Sequence, residues 1–283
     1  YDETAKKYVP VRSDFEVKDN VYVLYCPIES DFSKPLTDPV NSAQYEQLSG
    51  WKDAFAAAGK DANIMIWTYS IPCYSYFVPL DNFGVYGEHY RTFKDLGVSY
   101  VFDQSVYDSA TPGFESLKIY TQAKLMWRED LSYDDLAEDF INHYYGNAAE
   151  EIKKYHDFIR SYYKYLEETK AFSGKIMFLG DEELFWPYAV VKDMIGMLED
   201  AVKAIEPHKT TNPENYEKYL SRIRREELTP IYLAFKHHMN SLTQSQKEEY
   251  WYILDKYTRE YDIVATKESS LDVVTMVETW RGE

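Results

Sequence analysis

The chain has 283 residues, 45% of them hydrophobic and 28% charged, a balance that supports a sizeable core and excludes a disordered chain. Its net charge of −17 argues against nucleic acid and disfavours anionic membrane surfaces as partners, because both are bound through Lys and Arg. Two cysteines, Cys26 and Cys73, are too few for a disulfide framework.

In chain order, residues 1–19 are polar and read as a connection. Residues 20–25, rich in Val and Tyr, predict a strand that stops at Pro27, which has no N–H for a ladder. A helix is expected from Asn41 or Ser42 to Ala58. Tyr45, Leu48, Trp51 and Phe55 fall at helical spacing, and Gly59 is its stop. Residues 63–71 follow, an apolar run ending in Trp67, Tyr69 and Pro72. Such a run reads as a strand buried on both faces, as in parallel sheets. An aromatic loop at 72–82 carries Tyr74, Tyr76 and Phe77. A helix over about 83–96 ends at Gly97, and 98–104 makes a third strand. The pattern strand–helix–strand–helix–strand predicts parallel neighbours in the order 21–26, 63–68, 98–103, with both helices on one face.

From Gly113 the pattern is helical throughout, with helices expected over 114–128, 133–145, 147–169, 187–206, 213–241, 244–267 and 270–281. Pro213 suits a first turn, and Pro230 is expected to kink or split its helix. The class change sets a domain boundary near residue 130: an α/β part over 1–130 and an α-helical part over 131–283. Trp127, Phe140, Tyr144 and Tyr145 are expected to be buried where the two meet.

Function in parallel α/β folds gathers at the carboxyl ends of strands. The carboxylates placed there, Glu29 and Asp103, are the candidate catalytic pair, since two facing carboxylates suffice for glycoside hydrolysis. Trp67, Tyr69, Tyr76 and Gln104 are the candidate substrate-binding residues: flat rings for stacking and an amide for hydroxyls. Each has an ordinary structural explanation as well, the aromatics as core and the acids as solvated surface groups. Glu115 reads most simply as a first-turn helix charge. The six histidines form no metal motif and no triad, and no glycine-rich phosphate loop is present. No cofactor or metal is expected.

Four stretches taken together resemble one family. They are Cys26-Pro-Ile-Glu29 with Pro35, Leu36, Asp38 and Pro39; Ile66-Trp-Thr-Tyr69 with Tyr76, Pro79 and Asn82; Val101-Phe-Asp-Gln104; and Phe114-Glu-Ser-Leu117 leading to Lys124-Leu-Met-Trp127 and Tyr144-Tyr-Gly146. Arg222 to Leu228 adds to the likeness. The chain resembles the domain-of-unknown-function family 4838, found in large secreted or surface bacterial proteins. The resemblance implies α/β plus all-α architecture: the C-terminal portion of a (β/α)8 TIM-like barrel, of the hexosaminidase and α-glucuronidase type, followed by a helical bundle. It also implies an extracellular or cell-surface location, a carbohydrate partner, and an upstream barrel half in the same protein.

Two functions compete on this basis. One is a glycoside hydrolase, in which this stretch by itself is inactive. The other is a non-catalytic carbohydrate-binding or structural interaction module.

Overall fold

The computed structural model describes residues 1–12, 16 and 18–282; residues 13–15 and 17 of the predicted connection, and residue 283, lie outside the described residues. Three strands, β1 (Val23–Tyr25), β2 (Ile64–Tyr69) and β3 (Val98–Gln104), form a parallel sheet in the order β1-β2-β3. Two crossovers join them through α1 (Ser42–Ala57) and α2 (Tyr86–Asp95). Gly59 and Gly97, at φ +69° and +80°, end these helices in the left-handed conformation that a side chain disfavours. Then come α3 (Glu115–Trp127), α4 (Tyr133–Tyr145), α5 (Ala149–Lys170), α6 (Tyr188–Ile205), the single turn α7 (His208–Thr211), α8 (Pro213–His238), α9 (Gln244–Glu260) and α10 (Val273–Gly282).

Local chemistry accounts for several starts. Ser132 caps α4 by accepting from Asp135 N–H, and Asn212 caps α8 with Pro213 in its first turn. Thr243 and Gln246 form a capping box on α9. Asn41 spends its side chain elsewhere, accepting from Asp31 N–H (2.8 Å) and donating to the Asp31 and Pro35 carbonyls (3.0 Å each), which pins the loop after β1.

Period-2 alternation sorts the strands onto two faces. Ile64 and Ile66 point to one, packed with Leu48 and Phe55 of α1, Tyr86, Tyr90 and Phe93 of α2, and Leu125 of α3. One irregularity decides the rest. Ile64 pairs with Val98 but Met65 pairs with Tyr100, so Ser99 is an extra residue in β3. The bulge reverses the phase of the strand. Val98 and Val101 both reach the helix-covered core, while Tyr100 and Phe102 stand beside Met65 and Trp67 on the other, helix-free face.

The expected barrel is not formed. The sheet is open, with three strands and no strand beyond β1 or β3, and among the described residues the chain after Gln104 adds only helices and loops. Closing an eight-stranded barrel requires a continuous ladder with fixed tilt and stagger; here the helices pack on one another instead. The fold is a largely helical protein carrying a small open sheet.

The helical core spans α4 to α10 and draws in Phe77, Val78, Phe83, Phe114 and Leu117 from the first half of the chain. Tyr145 is buried at this junction and Phe140 and Tyr144 are partly buried, but Trp127 is 88% exposed. Trp127 is the last residue of α3, where the chain leaves the helix before α4 begins. Nor does Pro230 split its helix: α8 runs unbroken through it. Leu228, Ile231 and Leu233 around the proline are almost fully buried, so packing holds the helix where the missing N–H would let it break.

Candidate functional site

The carboxyl ends of the strands are filled. Phe32, Tyr69, Ile71, Cys73, Tyr76 and Leu80 form a cluster there with Ile176 and Ala265 from the second half of the chain. Backbone bonds stitch it together: Phe32 N–H to Gly174 O (3.0 Å), Cys73 N–H to Ile176 O, Tyr76 N–H to Thr266 O and Glu268 N–H to Cys73 O (2.8 Å each). The cavities left beside this plug have volumes of about 20 and 10 Å3, room for single waters.

The candidate residues are divided accordingly. Trp67 and Gln104 meet: the indole Nε1 donates to Gln104 Oε1 at 2.8 Å. Tyr69 lies buried inside the plug, and so does Tyr76, whose hydroxyl donates to Asp108 Oδ1 (3.1 Å). Asp103 neighbours Gln104 in sequence and so turns to the opposite face. There its Oδ2 accepts from Tyr90 OH (3.0 Å) and Gln122 Nε2 (3.3 Å). Glu29 is exposed on the loop after β1. Cys26 is exposed, Cys73 is buried, and the two thiols are free.

The glycoside hydrolase reading falls with the barrel. Its active site is a concave face at the strand ends with two carboxylates across a sugar. Here that end is plugged, and neither Glu29 nor Asp103 lines either of the cavities beside it. Among the described residues, no group of three or more His, Cys, Asp or Glu side chains is placed to hold a metal ion.

Under the helix-covered face lies a polar cluster that sequence reasoning passed over. Lys118 on α3 is buried, donates from Nζ to the Leu80 carbonyl and lies 4.6 Å over the Phe83 ring. Burial pulls its ammonium down to about 7, against the charges of Asp81, Asp103 and Glu115. Burial likewise pushes Asp103 up to about 6, with the hydrogen bond from Tyr90 acting the other way. The one available signal for Lys118 was its place one residue after Leu117 on a helix with apolar neighbours; a long stem hides a charge well.

Glu115 belongs to a latch between α8 and the loop after β3. Arg225 pairs with Glu115 and donates from Nε to Thr111 O (3.0 Å), while buried Glu226 accepts from Phe114 N–H (2.7 Å) and Tyr145 OH (2.8 Å). Arg222 lies over the Tyr144 ring at 3.8 Å and donates to its carbonyl.

The accessible feature is the helix-free sheet face. Tyr22, Leu24, Tyr100 and Phe102 are 45%, 51%, 55% and 53% exposed. Tyr22 meets Tyr100 edge-on at 5.7 Å, and Trp67 meets Phe102 at 4.9 Å. With Met65 between them, these side chains make one apolar surface across three strands.

No helix among the described residues is long and apolar enough to cross a membrane. No curated protein and no solved structure matches the chain. A family model does match, over residues 7–157, which take in the whole sheet, its covering helices and α4. The chain therefore belongs to the family described as Domain of unknown function (DUF4838).

Proposed function

We propose that this chain is a non-catalytic interaction module that docks an apolar, extended segment of a partner protein on the helix-free face and along the outer edge of β3. The observation that carries the reading is the half-exposed set Tyr22, Leu24, Tyr100 and Phe102 on a parallel sheet, a kind of sheet ordinarily covered on both faces. Complete burial of one such side chain is worth roughly 1.5–3 kcal/mol, so covering four that are half exposed recovers on the order of 3–6 kcal/mol before association costs. β3 is seven residues long, with no Pro or Lys to blunt its edge. Strand addition at such an edge supplies backbone hydrogen bonds, and alternate side chains then meet Tyr100 and Phe102.

A glycan stacked on the same rings is the second reading, favoured by the Trp67 indole and Gln104 amide at the rim of the face. The face is otherwise poor in groups for hydroxyls, which favours the protein partner. The test places a photo-crosslinking residue at position 100 and, as control, at exposed Leu184, in cells that make the protein. A discrete protein adduct from position 100, absent from 184 and lost with Phe102→Lys, supports the reading. No adduct, together with glycan-array binding that Trp67→Ala abolishes, would replace it with the glycan.

A further inference from the structure

A polar cleft of about 520 Å3 lies between the loop after β1, the loop after β2 and α5, away from the helix-free face. Its wall includes Ser33, Lys34, Asp81, Arg160, Ser161 and Lys164. Several of its charges are already matched. Lys34 pairs with Glu167. Arg160 donates from Nη1 to Asp134 (3.0 Å), with its guanidinium 5.1 Å over the Tyr133 ring. Gly84 leaves space for that guanidinium, since a Cβ there would come within 2.9 Å of Arg160 Nη2.

Two charged groups make no ion pair or hydrogen bond among the described residues, although Arg160, Lys118 and Lys34 partly offset the charge of Asp81. The Asp81 carboxylate, half-buried in the wall, accepts no hydrogen bond from any described residue, and burial pushes it up to about 6. Lys164 is exposed and has no ion pair or hydrogen bond among the described residues. The Asp81 oxygens are open to the cleft, where a ligand's donor would take the place of water.

We propose that this cleft binds a small zwitterion, its ammonium on Asp81 and its carboxylate on Lys164 and the guanidinium nitrogens of Arg160 that Asp134 leaves free. The choice follows from the signs. A simple anion would be drawn by Lys164 and Arg160 but repelled by Asp81 and by Asp157 and Glu167, which also line the wall. A simple cation would meet Asp81 but also Lys34, Arg160 and Lys164. A molecule carrying both charges satisfies both ends, and the Ser33 and Ser161 hydroxyls can accept or donate between them. Val85 is the single aliphatic side chain in the wall beyond Gly84, so a large apolar body gains little there.

The test titrates the full chain, by amide NMR or calorimetry, with glycine, β-alanine and 4-aminobutyrate, and in parallel with propionate and propylammonium. At least one zwitterion should bind near about 1 mM, tenfold or more tighter than either singly charged probe. Asp81→Asn and Lys164→Gln should each weaken it about tenfold; Lys164→Gln lies on the surface and leaves thermal unfolding unchanged. Propionate or propylammonium binding as tightly as the best zwitterion would overturn the proposal. So would the absence of saturable binding by all three zwitterions up to about 50 mM, or binding that survives both substitutions. None of these outcomes bears on the sheet face, whose crosslinking test is separate.

Discussion

Glu226 ties α8 to the start of α3 and to α4, and substituting it tests that role. Its two carboxylate oxygens serve two buried donors, Phe114 N–H at 2.7 Å and Tyr145 OH at 2.8 Å. Phe114 sits at φ +64°, just before α3, a left-handed conformation costing a non-glycine residue roughly 1–2 kcal/mol. The hydrogen bond that Phe114 N–H donates to Glu226 offsets that cost. Glu226→Ala leaves the Phe114 N–H orphaned and opens a cavity beside Tyr145, so a loss of about 3–5 kcal/mol is expected. Glu226→Gln behaves differently. Its amide oxygen can face Phe114 and its NH2 can donate to the Tyr145 oxygen, so only the charge assistance is lost, about 1 kcal/mol. Urea denaturation followed by tryptophan fluorescence measures both, and hydrogen exchange at Phe114 locates the change. An Ala variant within 1 kcal/mol of the parent, or a Gln variant as unstable as the Ala variant, would refute the latch.

Two further substitutions probe the polar cluster beneath the sheet. Asp103 has a folded pKa raised to about 6, so the fold favours its protonated form, and stability falls as pH rises from its unfolded value near 4 through 6. Asp103→Asn does not titrate, and between pH 4 and 7 its stability relative to the parent should improve by up to about 3 kcal/mol; no pH-dependent difference in urea midpoints would show that Asp103 is not buried as described. Lys118 is lowered to about 7, so its cost to the fold is full below pH 7 and vanishes above its unfolded value near 10.5. Lys118→Met should therefore gain on the parent by about 3 kcal/mol as pH falls from 9.5 to 7, and a gap that stays constant over that range would mean the amine reaches solvent.

The local pattern of this chain was legible and its long-range closure was not. β-branched runs at 20–25, 63–68 and 98–103, the first two each followed by a helical period and a stop glycine, fix three parallel strands in order. Ser132 and Pro213 sit where helix ends want them, whereas Asn41 does not cap α1 and α2 starts only at Tyr86. But a strand–helix–strand unit looks the same in a closed barrel and an open sheet, so counting strands was beyond what residues 20–104 can say. The bulge at Ser99 carries no mark in sequence, yet it reverses the face of every later residue in β3. It separates Asp103 from Trp67, which were expected to share one space. That expectation also overlooked alternation itself, since Asp103 and Gln104 are neighbours and must diverge. The plug was invisible for a different reason: Ile176 and Ala265 lie about a hundred or more residues from the strands they cover, and nothing local announces them.

Whether the strand ends can serve as a site turns on the plug's stability, which sets the last prediction. Four backbone bonds hold the loops over β1 and β2, each worth about 0.5–1.5 kcal/mol net, or on the order of 2–6 kcal/mol together. Tyr69, Ile71, Cys73, Tyr76 and Ile176 would also lose their burial if the plug opened. That exceeds what a mobile lid ordinarily costs to lift, since functional lids are drawn from the least stable parts of a fold. Native-state hydrogen exchange should therefore place the amides of Phe32, Cys73, Tyr76 and Glu268 with the slowest class, alongside Ile231 and Leu233 in the core of α8. Exchange of the four at rates typical of exposed loops would mean the plug lifts readily. The strand ends would then be open to a ligand, and the proposed docking of a partner on the helix-free face would lose its ground.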